Sequence, residues 1–245
     1  MHPVQSRASF RWSSLVAVTA CWSGCTATPL PEPPAFAPDL TRIAPGETRE
    51  VGPQVERASY VDFVGEAGAA DPSSTVRVTN LDTDDESVAA QVQEDGSFAI
   101  AVMVKIGNEL RFESVRGGVR SAPSDGVVGS EFLLQSSPRF ECVRLLTGNS
   151  LDFGETAPGS ESARSWTARN ECATEITAAN PTWRLDRLGF SVEFTSAVVP
   201  AGGEFTIPIK FSPAASGNAE DVLFVDLELG DERIRYPVTV YGRAP

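Results

Sequence analysis

From Tyr60 to the end of the chain, apolar and polar residues alternate with a period of two, the signature of strands with one buried face. Val76 and Val78 alternate with Arg77 and Thr79. Phe98, Ile100, Val102 and Val104 alternate with Ala99, Ala101 and Met103. Leu110 and Phe112 alternate with Glu109, Arg111 and Glu113. Turn formers separate these runs at Asp71-Pro72, Asn80 to Asp85, Asp95-Gly96, Gly107-Asn108 and Gly117-Gly118. Further on, Phe205, Ile207, Ile209 and Phe211 share one face, with Pro208 on the other. Proline cannot donate to a ladder, so this strand is expected at an edge or with a bulge. Leu223, Val225, Leu227 and Leu229 form the next inward set, Gly230-Asp231-Glu232 turns the chain, and Ile234, Tyr236, Val238 and Val240 form the last. The final two strands read as a hairpin. No segment in the body carries a long amphipathic helical pattern, and short strands at these intervals predict small β-sandwiches.

Two stretches resemble known families. Val64 to Thr83, then Glu94 to Val102, then Gly107 to Ser114 resemble the bacterial Ig-like and carboxypeptidase-regulatory-like repeats of surface proteins. The Thr75-Val76-Arg77-Val78 strand and the Asp95-Gly96-Ser97-Phe98 turn carry that likeness. The second stretch carries Leu151-Asp152-Phe153-Gly154, Gly159, Asn170, Pro200, Gly202-Gly203, Phe211-Ser212-Pro213, Gly217 and Tyr241-Gly242. In that order these residues resemble the Hydin-type, or ASH, domain. The resemblance implies a seven-stranded Ig-like sandwich, related in shape to major sperm protein and PapD-type domains, and a non-catalytic adaptor. The expected fold class is all-β: two tandem Ig-like β-sandwich domains after a signal peptide and a proline-rich linker. Their expected bounds are 59–135 and 139–245, with Ser136-Ser137-Pro138 between them.

The leader sets the expected compartment. Arg7 and Arg11 precede a short apolar stretch that is far below the roughly 20 residues needed to span a bilayer. Residues 1–20 therefore read as a lipoprotein signal peptide. Val18-Thr19-Ala20-Cys21 resembles the bacterial lipobox, which implies a diacylglyceride thioether on Cys21. Cys25, after Trp22-Ser23-Gly24, is the second candidate, and ordinary signal-peptidase cleavage is the alternative. Residues 21–58 read as a proline-rich tether, with prolines at 29, 31, 33, 34, 38 and 45 favouring extended chain.

Composition narrows the chemistry. The chain has 245 residues and a net charge of −13, with 33 acids against 20 bases, which argues against nucleic acid as a partner. Its one histidine, His2, lies in the leader, so the body offers no imidazole for a catalytic triad or a metal. G-x-S-x-G, S-x-x-K and P-loop motifs are missing. Asp82, Asp84, Asp85 and Glu86 suggest calcium, but an EF-hand needs Gly where Ser87 stands and Glu where Gln93 stands. A solvated turn is the plainer reading, so no metal and no cofactor are expected. Cys142 and Cys172 are expected to form a disulfide after export, free buried thiols being the alternative.

These features together describe a non-catalytic, lipid-anchored protein of the bacterial cell envelope, exported to the outer membrane or a periplasmic face. Its expected role is structural or protein-binding. Its expected partners are the membrane, through the lipid, and an envelope protein or polysaccharide. One alternative is a carbohydrate-binding module, for which Trp166 and Trp183 are the available platforms, Trp166 reading rather as core. The other is a periplasmic assembly factor working by edge-strand addition.

Overall fold

The computed structural model describes residues 35–50, 58–186 and 189–245. The signal peptide, Cys21 and Cys25 lie outside the described residues. The chain is almost entirely β. Its first half holds strands β1 (Ile43–Glu50), β2 (Ser59–Gly65), β3 (Thr75–Asn80), β4 (Val88–Gln91), β5 (Phe98–Val104), β6 (Glu109–Arg116), β7 (Val119–Arg120), β8 (Ser124–Val128) and β9 (Leu134–Ser136). Its second half holds β10 (Val143–Leu145), β11 (Ser150–Glu155), β12 (Ser162–Asn170), β13 (Ile176–Trp183), β14 (Phe190–Val192), β15 (Ser196–Val199), β16 (Glu204–Phe211), β17 (Gly217–Leu229) and β18 (Glu232–Ala244). Among the described residues no helix is long and apolar enough to cross a membrane.

Each half is built on two sheets that share one apolar core. In the first half the order β1-β2-β5 faces the order β4-β3-β6-β8-β9, with β7 paired to β6. Val61, Phe63, Val76, Ile100 and Phe112 fill the space between. In the second half β10-β12-β16-β14 faces β11-β18-β17-β13-β15 over Trp166, Ile176, Ile207, Phe211, Leu223 and Val238. These core residues are the inward-alternating sets of the sequence, and the last two strands form the expected hairpin, with Leu229 opposite Glu232. Gly242 has a packing reason: a Cβ there would lie 2.8 Å from the Phe211 ring and 3.2 Å from Phe153 Cβ.

Three expectations change. The fold begins before residue 59, so the expected tether ends earlier than 58. Phe36 N–H bonds Asp71 Oδ2 at 3.1 Å, Leu40–Arg42 forms a 3₁₀ turn, and β1 pairs antiparallel with β2 from Ile43 to Glu50. Pro45 did not prevent this, because β1 is an edge strand and its register slips just after the proline. The linker is also shorter: β9 pairs with β8, so Leu134–Ser136 belong to the first half.

The third change concerns the polar residues of the strands. Alternation in β6 implies that Glu109, Arg111 and Glu113 face water, yet Arg111 and Glu113 are each only 1% exposed. On β17 both Val222 and Leu223 are buried, and on β18 both Val238 and Thr239 are. These strands are covered on both faces because β3, β6 and β7 of the first half lie against the outer face of the β17–β18 hairpin, through Arg77, Arg111 and Arg120. The described residues accordingly belong to one compact unit.

Candidate functional site

Pro208 explains how one sheet is left open. In the β14–β16 pair Ser191 lies opposite Lys210, and Ser212 N–H bonds Gly189 O at 2.9 Å. Even-numbered residues of β16 therefore direct their backbone groups toward β14, and odd-numbered ones toward β12. But β14 stops at Val192, opposite Ile209. The chain then crosses to the other sheet, where β15 pairs with β13. Beyond Ile209 the backbone groups of Pro208, Thr206 and Glu204 continue outward, and no strand among the described residues pairs with them. Proline loses no hydrogen bond here, since its missing N–H would face that open side. The strand is thus interior at Ile209–Phe211 and an edge at Glu204–Pro208, which resolves the expectation for Pro208. The edge offers two N–H donors and three C=O acceptors.

One buried amide organises the start of this edge. Asn170 Nδ2 donates to Thr174 O at 2.8 Å, Val199 O at 2.9 Å and Pro200 O at 3.1 Å. Its Oδ1 accepts from Cys172 N–H at 2.9 Å. Its backbone pairs with Gly203 O and Gly202 N. Asn170 so ties the end of β15 and the start of β16 to the turn after β12. That turn is closed covalently: Cys142 and Cys172 are disulfide-bonded, with Cα atoms 4.7 Å apart. Geometry of this kind bridges without backbone movement.

A charged seam runs between the halves. Arg111 Nε and Nη2 grip both oxygens of Asp125 at 2.7 and 2.8 Å, and Asp125 also accepts from Arg139 at 2.9 Å. Burial opposes ionisation of Asp125, but the adjacent Arg111 outweighs it and holds the carboxyl below its usual range. Further along, Glu220 of β17 holds Arg120 and Arg77, the latter at 2.9 Å. Glu113 sits behind them with Oε1 unpartnered, and burial pushes its carboxyl up. Arg120 stacks over the Tyr241 ring at 4.1 Å. Burial, and then the charge of Asp152, push the Tyr241 phenol up to about 12. The apolar part of the seam is small: Leu81, Val222 and Phe224. A cleft of about 880 Å³ opens beside it, lined by Arg77, Arg120, Glu220 and Tyr241 among others.

The acidic loop belongs to this seam. Asp82 accepts from Glu109 N–H at 2.7 Å and from Arg235 at 2.6 Å, and Asp85 O accepts from Arg184. One oxygen of Asp82 is thus taken by its own half and the other by the second, so the loop is a docking point and more than a solvated turn. Among the described residues no group of three or more His, Cys, Asp or Glu is placed to hold a metal. Trp166 is fully buried and donates to Gly148 O at 2.9 Å. Trp183 is half-buried and stacks on Phe190 at 6.0 Å. Trp166 therefore presents no open face for a sugar, and Trp183 has one face engaged by Phe190.

The Leu151-Asp152-Phe153-Gly154 and Tyr241-Gly242 motifs come together as structure. β11 runs parallel to β18, with Asp152 opposite Tyr241. Asp152 Oδ1 accepts from Gly154 N–H at 2.7 Å, which fixes the turn, and Phe153 packs on Phe190 and Phe211. The seam went unread in the sequence. The unbroken apolar run Val222 to Val225 was the available signal for a strand buried on both faces.

Comparison with known proteins bears on the second half. The family model described as "Abnormal spindle-like microcephaly-assoc'd, ASPM-SPD-2-Hydin" (ASH) matches residues 145–228. No curated protein matches the chain. Similar solved structures include the ASH/PapD-like domain 7 of human CEP192, at 18% identity and TM-score 0.38, covering 45% of this chain and 90% of that one. WR4, a C. elegans member of the MSP family, gives 10% identity and TM-score 0.31, with coverages of 43% and 100%. The E. coli chaperone DraB gives 10% and 0.33, with coverages of 42% and 55%. The family match points to a non-catalytic, protein-interacting β domain. An ASH-type β domain is therefore present in the second half of the chain.

Proposed function

We propose that this chain is a non-enzymatic adaptor whose ASH-type domain takes up a strand from a partner protein along the open edge of β16. The supporting observation is the unpaired backbone of Glu204–Pro208, exposed where β14 leaves its sheet. An added strand would satisfy the outward N–H groups of Glu204 and Thr206, with neighbouring side chains giving selectivity. The short length of the edge and Pro208 guard it against indiscriminate pairing. On this reading the body is two Ig-like sandwiches in tandem, carried on a tether from a lipidated Cys21 in a bacterial envelope. The carbohydrate alternative loses support because both tryptophans are engaged in packing.

Thr206→Pro tests the reading. Its N–H faces away from β12, so the substitution removes a donor from the open edge and none from the internal ladder. Proteins captured from envelope extract by the wild type should be lost with Thr206→Pro, and their binding should protect the Glu204 and Thr206 amides from hydrogen exchange. Equal capture by both forms, with no protection at those amides, would exclude the edge.

A further inference from the structure

We propose that the Arg111–Asp125–Arg139 chain is a register lock that fixes the angle between the two halves and makes them unfold as one body. Arg111 lies on β6 of the first half, yet it is shared. Each of its five N–H donors has an acceptor. Two reach Asp125 of its own half. The other three reach Thr239 Oγ1 at 2.8 Å, Pro237 O at 2.8 Å and Asn149 O at 3.3 Å, all in the second half. A planar guanidinium offers these donors in fixed directions, so only one placement of β18 satisfies all of them.

The same carboxylate reaches the connection between the halves. Asp125 Oδ2 also accepts from Arg139, which donates to Glu109 Oε1 at 2.6 Å. Phe140 N–H then bonds Tyr236 Oη at 2.7 Å inside the second core. The connection is thereby held at both ends by buried groups. A slide of one strand residue would set Arg111 against the wrong face of β18 and strand several donors in a dry place. Buried ion pairs of this kind add little net stability over apolar packing, but they penalise every alternative arrangement. With only three apolar residues in the seam cluster, the charges and not the apolar contact specify the angle.

The tryptophan distribution makes this measurable. Among the described residues both tryptophans, Trp166 and Trp183, lie in the second half. With Trp12 and Trp22 replaced by Phe, their fluorescence reports that half alone, while far-ultraviolet circular dichroism reports both. In the full chain the two denaturant transitions should coincide. In Arg111→Met they should separate, with a shallower dichroism slope. Asp125→Asn, which keeps shape and removes charge, should give a smaller separation of the same sign. Two transitions in the wild type would overturn the lock, and so would transitions that stay coincident in both variants.

Discussion

Arg111 and Thr239 stand 128 residues apart in the chain and 2.8 Å apart in space. Their contact places the outer face of the final hairpin under the first half, and several expectations rest on what lies around it.

Tyr236→Phe removes one oxygen from the junction. Phe140 N–H, buried against that hydroxyl at 2.7 Å, would be left without an acceptor. An unsatisfied buried donor costs about 1–3 kcal/mol, so the urea midpoint should fall by that equivalent. The Phe140–Tyr236 ring stack at 6.5 Å should persist, which separates the lost bond from lost packing.

Asn170→Ala should be more damaging. It removes the donor to the carbonyls of Thr174, Val199 and Pro200, the last of which keeps Gly203 N–H, and the acceptor of Cys172 N–H. A loss of at least about 3 kcal/mol is expected from several buried groups left unpaired. Amide exchange should quicken first at Cys172 and around Gly202 and Gly203, the groups that Asn170 holds.

The disulfide links residues 30 apart in sequence. Closing such a loop contributes about 3–4 kcal/mol by restricting the unfolded chain. Cys142→Ser with Cys172→Ser should lower the thermal midpoint accordingly. Because the halves share the Arg111 contact, the dichroism signal of the first half should fall with the second, although the first half contains no cysteine.

Stability should depend on pH with two opposite signs. Asp125 has its carboxyl held below the ordinary 3.8. Its contribution is present above the unfolded value and is lost as pH falls through the folded one. Glu113 has its carboxyl raised above 4.5 by burial. Its contribution is present below 4.5 and is lost as pH rises through the raised value. Glu113→Gln should remove the second slope and leave the first. Denaturant midpoints measured on either side of each window check both signs.

Cys21→Ser should release the protein from the membrane fraction if Cys21 carries the lipid. Retention of that variant, with release of Cys25→Ser, would move the cleavage site to the later cysteine.

The strands were legible because alternation reports one buried face directly. Phe205 to Phe211 and Ile234 to Val240 point where their pattern directs them. The same logic fails at Glu109, Arg111 and Glu113, because a polar residue reads as solvent-facing unless its partner is known. Arg111 and Glu109 find partners across the seam, in Thr239 and Arg235, far away in sequence, while Glu113 is held by Arg120 of its own half. Asn170 was visible as a family residue, but its role depends on carbonyls about thirty positions downstream. The open edge was half-legible: Pro208 announced it, while the departure of β14 after Val192 has no local signature.

The junction at residues 137–140 also restricts how such a chain can be assembled by recombination. A crossover there would join this first half to a foreign second half. The newcomer would meet a guanidinium at Arg111 needing a hydroxyl and two carbonyls at the positions that Thr239, Pro237 and Asn149 now fill. Few unrelated β domains would present them, so the two halves should be inherited as a pair and not exchanged as independent parts.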